Sequence, residues 1–383
     1  MTSSPDAEVV VVGAGASGLS AAACLARRGL PPVVLHRDDR VGATWRGRYD
    51  RLHLHTTRRF SGLPLHPIPR SYGRFVAKDD YARYLEDYAE HLGLDVRGGV
   101  SVKAIRRADG GWTVEAEAGR WDCRAVVVAT GRHRRKVLPG VPGAEAFGGP
   151  LLHSADYRSG RTFAGQKVLV VGIGNSGAEI AADLVEQGAR GVEIAVRSSP
   201  PIVSREVAGI PVQVFGILLS PLPAGAVDRA AARMRRLALG DLAPFGLEPP
   251  AWGSFSERRP AVIDVGFVRE LKARRVSVRP AVLRFRPGGV VFADGTEEDY
   301  DAVVAATGFR TGLEELLDVP GALDESGLPR EGASPAGLFF AGFTETVRGQ
   351  LYEANKAAGG LAAAVDVFLS GAALKGGSRC LPS

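Results

Sequence analysis

Cysteine is scarce in this chain: 3 of 383 residues, at positions 24, 123 and 380. No CxxC pair or metal-type spacing can be built from them, which excludes a dithiol redox centre and a zinc cluster. Scarce cysteine also points to a reducing compartment. Long apolar runs are missing too; the longest reach strand or helix length, well short of a bilayer span. The opening MTSSPDAEVV lacks the basic segment and apolar stretch of a secretory leader. These absences predict a soluble, cytoplasmic protein with no membrane span and no metal site. Basic residues outnumber acids 48 to 42. No zinc-finger spacing, basic heptad helix or RNP pattern goes with that excess, so nucleic acid is not the expected partner. The run Arg132-His133-Arg134-Arg135-Lys136 reads as a solvated face or an anion-binding rim. Aromatics are few, while aliphatics, alanine and glycine dominate, as in packed α/β layers.

What is abundant is glycine, and its placement repeats. Glu8 to Val12 is a continuous β-branched run, as in a strand buried on both faces of a parallel sheet. GAGASG follows at Gly13 to Gly18, then an apolar helical stretch ended by Gly29, then a second strand, Val33 to Leu35. The same order recurs: Lys167 to Val171, GIGNSG at Gly172 to Gly177, a helical stretch ended by Gly188, and Val192 to Val196. Downstream of each lies a buried strand ending in Ala-Thr-Gly, at Ala129-Thr130-Gly131 and Ala306-Thr307-Gly308. Hairpin-like segments precede both, Val100 to Ile105 with Trp112 to Ala118, and Val276 to Phe285 with Val290 to Phe292.

A βαβ unit with GxGxxG at its first turn suits a pyrophosphate. The first glycine allows the tight turn, the second lets the phosphates approach, and the third lets helix and strand pack. Two such units predict an α/β fold of two Rossmann-like dinucleotide-binding domains, of three-layer ββα type. The expected division is a flavin unit at 1–157 and 301–383, with an inserted nicotinamide unit at 158–300. Within the insert, 207–260 begins apolar and turns helical and basic. It reads as a lid over the substrate, a subunit interface in a homodimer, or a membrane-facing patch, with an ordinary amphipathic helix the plainer reading of its basic stretch.

The end of each second strand should meet the adenosine ribose, where an acid holds the hydroxyls. The second unit has Arg197-Ser198-Ser199 there, with no acid and an arginine suited to a 2′-phosphate, which favours NADPH. The first has His36-Arg37-Asp38, where His36 donates to a ribose oxygen or Asp38 takes the acid's part.

These residues bring a family into view. The chain resembles the class B flavin-dependent monooxygenases, particularly YUCCA-type enzymes of plants and their bacterial relatives. GAGASGLSAAACL, GATW (42–45), YDRLHLH (49–55), VVVATG, VLVVGIGNSGAEIAADL and GLFFAGFT (337–344) carry the likeness. So does FGGPLLHSADY, which fits FxGxxxHxxx(aromatic) through Phe147, Gly149, His153 and Tyr157. In Baeyer–Villiger enzymes the last aromatic is typically Trp; Tyr157 places the chain nearer the flavin monooxygenase branch.

The resemblance implies FAD on Gly13, Gly15, Ser17 and Gly18, with Thr44 and Trp45 near the flavin and its ribityl chain. Leu54, His55 and Thr56 would approach the isoalloxazine and the main chain of Val102 the adenine. Gly342, Gln350 and Leu351 would close over the flavin. NADPH would lie on Gly172, Gly174, Asn175, Ser176, Gly177, Arg197 and Ser198, with Thr130, Gly131, Thr307 and Gly308 at the paired Ala-Thr-Gly turns. The implied activity is NADPH- and O2-dependent oxygenation of a small molecule through a flavin C4a-(hydro)peroxide. Oxidative decarboxylation of an aromatic 2-oxo acid such as indole-3-pyruvate is the leading reading. N- or S-oxygenation and Baeyer–Villiger oxidation are the alternatives. The flavin is the reactive group, so no side chain is assigned to the oxygen-transfer step. Two residues are candidates around it: His153 for coupling between the units, and Arg205 for a substrate carboxylate, a cofactor phosphate or a structural contact.

Overall fold

The computed structural model describes residues 6–250, 252–330 and 334–376; Cys380 and the first five residues lie outside the described residues. The first sheet runs in the order Asp95–Arg97, Val33–Leu35, Ala7–Val12, Gly119–Val128, Gly111–Ala116, Val102–Ala108. Strand Leu338–Phe340 also pairs with Gly119–Val128. That long strand does two jobs. Its first half closes an antiparallel meander, and its last three valines lie between Ala7–Val12 and Leu338–Phe340 in parallel. Val9, Val10 and Val11 and Val126, Val127 and Val128 are wholly buried. Each such side chain contributes roughly 1.5–3 kcal/mol, which is why both strands read as unbroken valine runs. Helix Ala16–Arg27 covers one face and packs against the long helix Gln350–Gly376.

The second sheet is wholly parallel, in the order Val276–Arg279, Gly191–Ala195, Lys167–Val171, Ala302–Ala305, Leu151–His153. Its membership corrects the expected boundaries. Leu151–His153 and Ala302–Ala305 fall outside 158–300, yet both are strands of this sheet. A three-residue edge strand carries too little pattern to assign to a sheet before its partner is known. The expected hairpin over Val276 to Phe285 also divides. Val276–Arg279 joins the parallel sheet, and Val282–Arg286 pairs in antiparallel with Gly289–Phe292.

The chain passes between the units after each Ala-Thr-Gly. The two crossings are tied by a short antiparallel ladder, Arg135–Lys136 with Phe309–Arg310. The segment 207–260 forms helices Val212–Leu219 and Ala224–Leu239. Only Val227 and Leu239 of the second helix are buried. Among the described residues no helix is long and apolar enough to cross a membrane.

Candidate active site

Both glycine turns are built alike. Gly13 has φ +112°, and a Cβ there would lie 2.5 Å from the Ala129 carbonyl oxygen; one on Gly18 would lie 1.8 Å from the Gly13 carbonyl oxygen. In the second turn Gly172 has φ +102° and would meet the Ala306 carbonyl oxygen at 2.8 Å, and Gly177 the Gly172 carbonyl oxygen at 2.0 Å. Protein packing therefore requires the first and third glycine of each turn. It does not require the middle one: a Cβ on Gly15 or Gly174 meets nothing within 4 Å. Each middle glycine caps a 12-residue helix without a side-chain capping bond, so its first amides face open space. This is a cradle for a pyrophosphate. Beside the first turn, Thr130 Oγ1 is buried without a hydrogen-bond partner among the described residues. A Cβ on Gly342 would lie 2.2 Å from Ser17 Oγ, so the chain after strand Leu338–Phe340 seats directly on this turn.

The strand ends differ as the side chains require. His36 is buried, and its Nε2–H donates to the Arg40 carbonyl at 3.2 Å. Burial lowers its pKa, so the neutral ring holds its remaining lone pair on Nδ1. The reading of His36 as a donor to ribose is thereby revised: the ring offers an acceptor, as an acid would. Asp38 stands 3.8 Å from His36 and also takes Arg37 Nε at 3.3 Å. Arg197 and Ser198 are exposed just beyond strand Gly191–Ala195.

A cavity of about 920 Å³ opens where the units meet. Trp45, Leu54, His55 and Thr56 line it from the first unit, Gly174, Asn175 and Ser176 from the second. Phe215, Arg235 and Trp252 come from the 207–260 segment, and Gly349, Gln350 and Leu351 close it from the C-terminal side. Residues of the 207–260 segment thus form part of the cavity wall. Asn175 also anchors its own wall, accepting the Ile263 amide at 2.7 Å.

Behind that wall, His55 Nε2 donates to Glu179 Oε1 at 2.5 Å. Glu179 is 2% exposed and belongs to the helix that begins at the second turn, so this bond joins a flavin-side residue to the nicotinamide unit. Tyr49 lies beside Glu179 and Ser176; burial, then the Glu179 charge, hold its phenol protonated well above the usual range. Arg132 clamps the closing segment, donating to the Phe343 carbonyl at 2.5 Å and standing 3.1 Å from Glu345. Burial, with Arg48 and Arg132 nearby, lowers the His133 pKa to about 4.

A model of the flavin-binding monooxygenase-like family matches residues 6–318. The chain belongs to that family. It is 40% identical to indole-3-pyruvate monooxygenase YUCCA1 of Oryza sativa subsp. japonica over 361 residues, covering 88% of this chain and 86% of the relative. It is 33% identical to the probable indole-3-pyruvate monooxygenase YUCCA3 of Arabidopsis thaliana, covering 88% and 82%. A flavin-containing monooxygenase from Stenotrophomonas maltophilia superposes with a TM-score of 0.74 at 27% identity, over 94% of this chain and 98% of that one. The protein is therefore a flavin-dependent monooxygenase, and its two turns fit FAD and NADPH.

In this monooxygenase some expected residues lie elsewhere. Arg205 is not in the cavity wall; its guanidinium stacks 4.1 Å from the Phe75 ring centroid, a structural contact. Thr44 is exposed beside the cavity-lining Trp45, and Val102 packs its side chain into the core. His153 is buried behind the wall. Its Nε2–H donates to the Gly308 carbonyl at 2.9 Å, and its Nδ1 accepts the Ala155 amide at 3.1 Å. It thus fixes the second Ala-Thr-Gly turn to the edge strand. Tyr157 likewise donates to Asp183 at 2.6 Å, and that carboxylate also takes the Gly160 amide. The basic run is partly solvated, with Arg135 and Lys136 exposed, but its charges are paired within the protein. Arg134 and Arg135 pair with Glu315 and Lys136 with Asp156. Glu179 and Arg235 were not expected at the site. Two acids, Glu179 and Asp183, in the otherwise apolar AEIAADL were the available signal for Glu179; an arginine among four on one exposed helix gave none for Arg235.

Proposed function

We propose that this monooxygenase uses NADPH and O2 to convert an aromatic 2-oxo acid to the acid one carbon shorter, with loss of CO2. The balance is one 2-oxo acid, O2, NADPH and a proton giving the shortened acid, CO2, water and NADP+. Bound FAD supplies the hydride acceptance and O2 activation. The chain's own residues bind, orient and exclude water. The Gly172 to Gly177 turn opens directly onto the cavity, so a nucleotide held there reaches the space beside Trp45 and His55. The exposed Arg197 suits a 2′-phosphate. Glu179 fixes the His55 ring through Nε2, so its orientation is set before substrate arrives.

The observation that carries the reading is the cavity wall. Phe215, Trp252 and Phe255 offer aromatic surface, and the acids there, Asp228 and Glu345, are both engaged by protein donors. The named activity of the rice and Arabidopsis relatives is in keeping with such a wall. The test is incubation of the FAD-loaded enzyme with indole-3-pyruvate and NADPH under 18O2. Indole-3-acetic acid carrying one labelled oxygen is expected. A thioether gaining one oxygen, with no product from the 2-oxo acid, would overturn the proposal.

A further inference from the structure

Charges around the cavity divide into those already answered and one that is not. Asp228 accepts the Phe255 amide at 2.9 Å, the Ser256 amide at 2.9 Å and Ser256 Oγ at 2.6 Å. Arg132 stands 3.1 Å from Glu345, and Arg348 stands 2.7 Å from Glu353. Arg259 is exposed and stacks 4.4 Å from the Trp252 ring centroid; Arg310 is exposed. Arg235 is half-buried in the wall, on helix Ala224–Leu239, with no ion pair or hydrogen bond among the described residues. Its helix neighbours Arg229, Arg233 and Arg236 are exposed, where water solvates them.

A guanidinium taken partly out of water without a counter-ion costs free energy. Burial lowers the Arg235 pKa. An apolar side chain would suit that position better if the wall had only to be closed. Arginine suits it if an anion arrives, because its fork meets a carboxylate in a bidentate pair.

We propose that Arg235 receives the carboxylate of the substrate, placing the acid end on the 207–260 segment and the aromatic end among the wall's aromatic side chains. This assignment rests on the 2-oxo acid reading above. It also explains why so exposed a helix sits over the site: an ion pair to substrate would draw it inward.

A second cavity, of about 540 Å³, is also lined by Arg235, with Arg233, Arg236, Asp241 and Glu248 in its wall. A cofactor phosphate is thus the competing anion, and the experiment separates the two. The FAD-loaded enzyme and its Arg235→Met and Arg235→Lys variants are titrated with indole-3-acetate and with neutral indole-3-acetamide, followed by the flavin absorbance. KM for NADPH and for indole-3-pyruvate is measured alongside. Arg235→Met is expected to weaken indole-3-acetate, and raise KM for indole-3-pyruvate, by roughly ten- to hundredfold. The amide and NADPH should be unaffected, and Arg235→Lys should restore part of the loss. Equal weakening of acid and amide, a rise in KM for NADPH alone, or no change would overturn the assignment. If wild type oxidises indole-3-pyruvate and Arg235→Met leaves its KM unchanged, only Arg235 is misassigned. If wild type neither binds the acid nor oxidises the 2-oxo acid, the functional reading falls with it.

Discussion

Gly174→Ala is the sharpest perturbation the structure offers. Gly174 has φ −79° and ψ −176°, an extended backbone that alanine adopts freely. The added methyl meets no protein atom within 4 Å. Two small terms then oppose each other. Reduced freedom of the unfolded chain stabilises by about 0.4–1 kcal/mol, and alanine is a poorer helix N-cap than glycine by a comparable amount. Folding stability should therefore stay within about 0.5 kcal/mol of wild type, and FAD content should not change, because the first turn is untouched. NADPH should suffer. A methyl in the cradle pushes the pyrophosphate off the helix amides, and each charge-assisted bond lost is worth about 1.5–3 kcal/mol. That is a rise of at least about tenfold in the dissociation constant. The assay is flavin reduction against NADPH concentration, with the FAD-to-protein ratio and Tm measured on the same sample. Gly177→Ala is the contrast, since its methyl would sit 2.0 Å from the Gly172 carbonyl oxygen and should unfold the unit. Wild-type NADPH affinity in a folded Gly174→Ala would refute the cradle. Loss of FAD rather than NADPH would show that the turns had been assigned the wrong way round.

Tyr157→Phe removes a donor from the buried Asp183 and should cost about 1–3 kcal/mol in a denaturant titration; unchanged stability would mean the bond is idle. The His55–Glu179 bond should appear in a double-mutant cycle of His55→Ala with Glu179→Gln as a coupling of about 1 kcal/mol or more, whereas additive losses would deny that it joins the units. His153 has a folded pKa below its ordinary value, because it is buried, so the unfolded chain binds more protons as pH falls below about 6.5. Its contribution is complete above that pH and lost as pH falls through the folded pKa; His153→Gln should flatten the slope of stability against pH, leaving the parts due to His36 and His133. Thr130→Val and Thr307→Val should act in opposite directions on the apoprotein. The first removes an unpartnered buried hydroxyl and should raise Tm while weakening FAD; the second breaks a bond to the Val137 carbonyl and should lower Tm.

Those features carried by neighbours in sequence were legible before any coordinates. A continuous valine run, a GxGxxG and a helix-ending glycine are one local unit, and the paired strands confirm its parallel register. What escaped depends on partners far along the chain. The His55–Glu179 bond spans 124 positions, and nothing near either residue announces it. The ion pairs of the basic run escaped because its acids, Glu315, Glu345 and Asp156, lie elsewhere in sequence. Arg205 and Arg235 are indistinguishable as letters. One stacks on Phe75 and the other faces the cavity, by the path of strands and helices between them.

The two Ala-Thr-Gly turns show how a repeated pattern divides its labour. Around the second, the threonine hydroxyl and the glycine carbonyl are spent on the protein. Thr307 holds the Val137 carbonyl, the Gly308 carbonyl takes His153, and Phe309–Arg310 pairs with Arg135–Lys136. Around the first, Thr130 is left without a hydrogen-bond partner among the described residues. An unsatisfied buried hydroxyl costs about 1–3 kcal/mol, so its retention makes physical sense where a ligand completes it. The second turn anchors the chain crossings; at the first, bound FAD would supply the missing partner. FGGPLLHSADY lies wholly with the anchoring half. His153 ties the edge strand to Gly308, and Tyr157 ties the chain that follows it to the helix of the second unit.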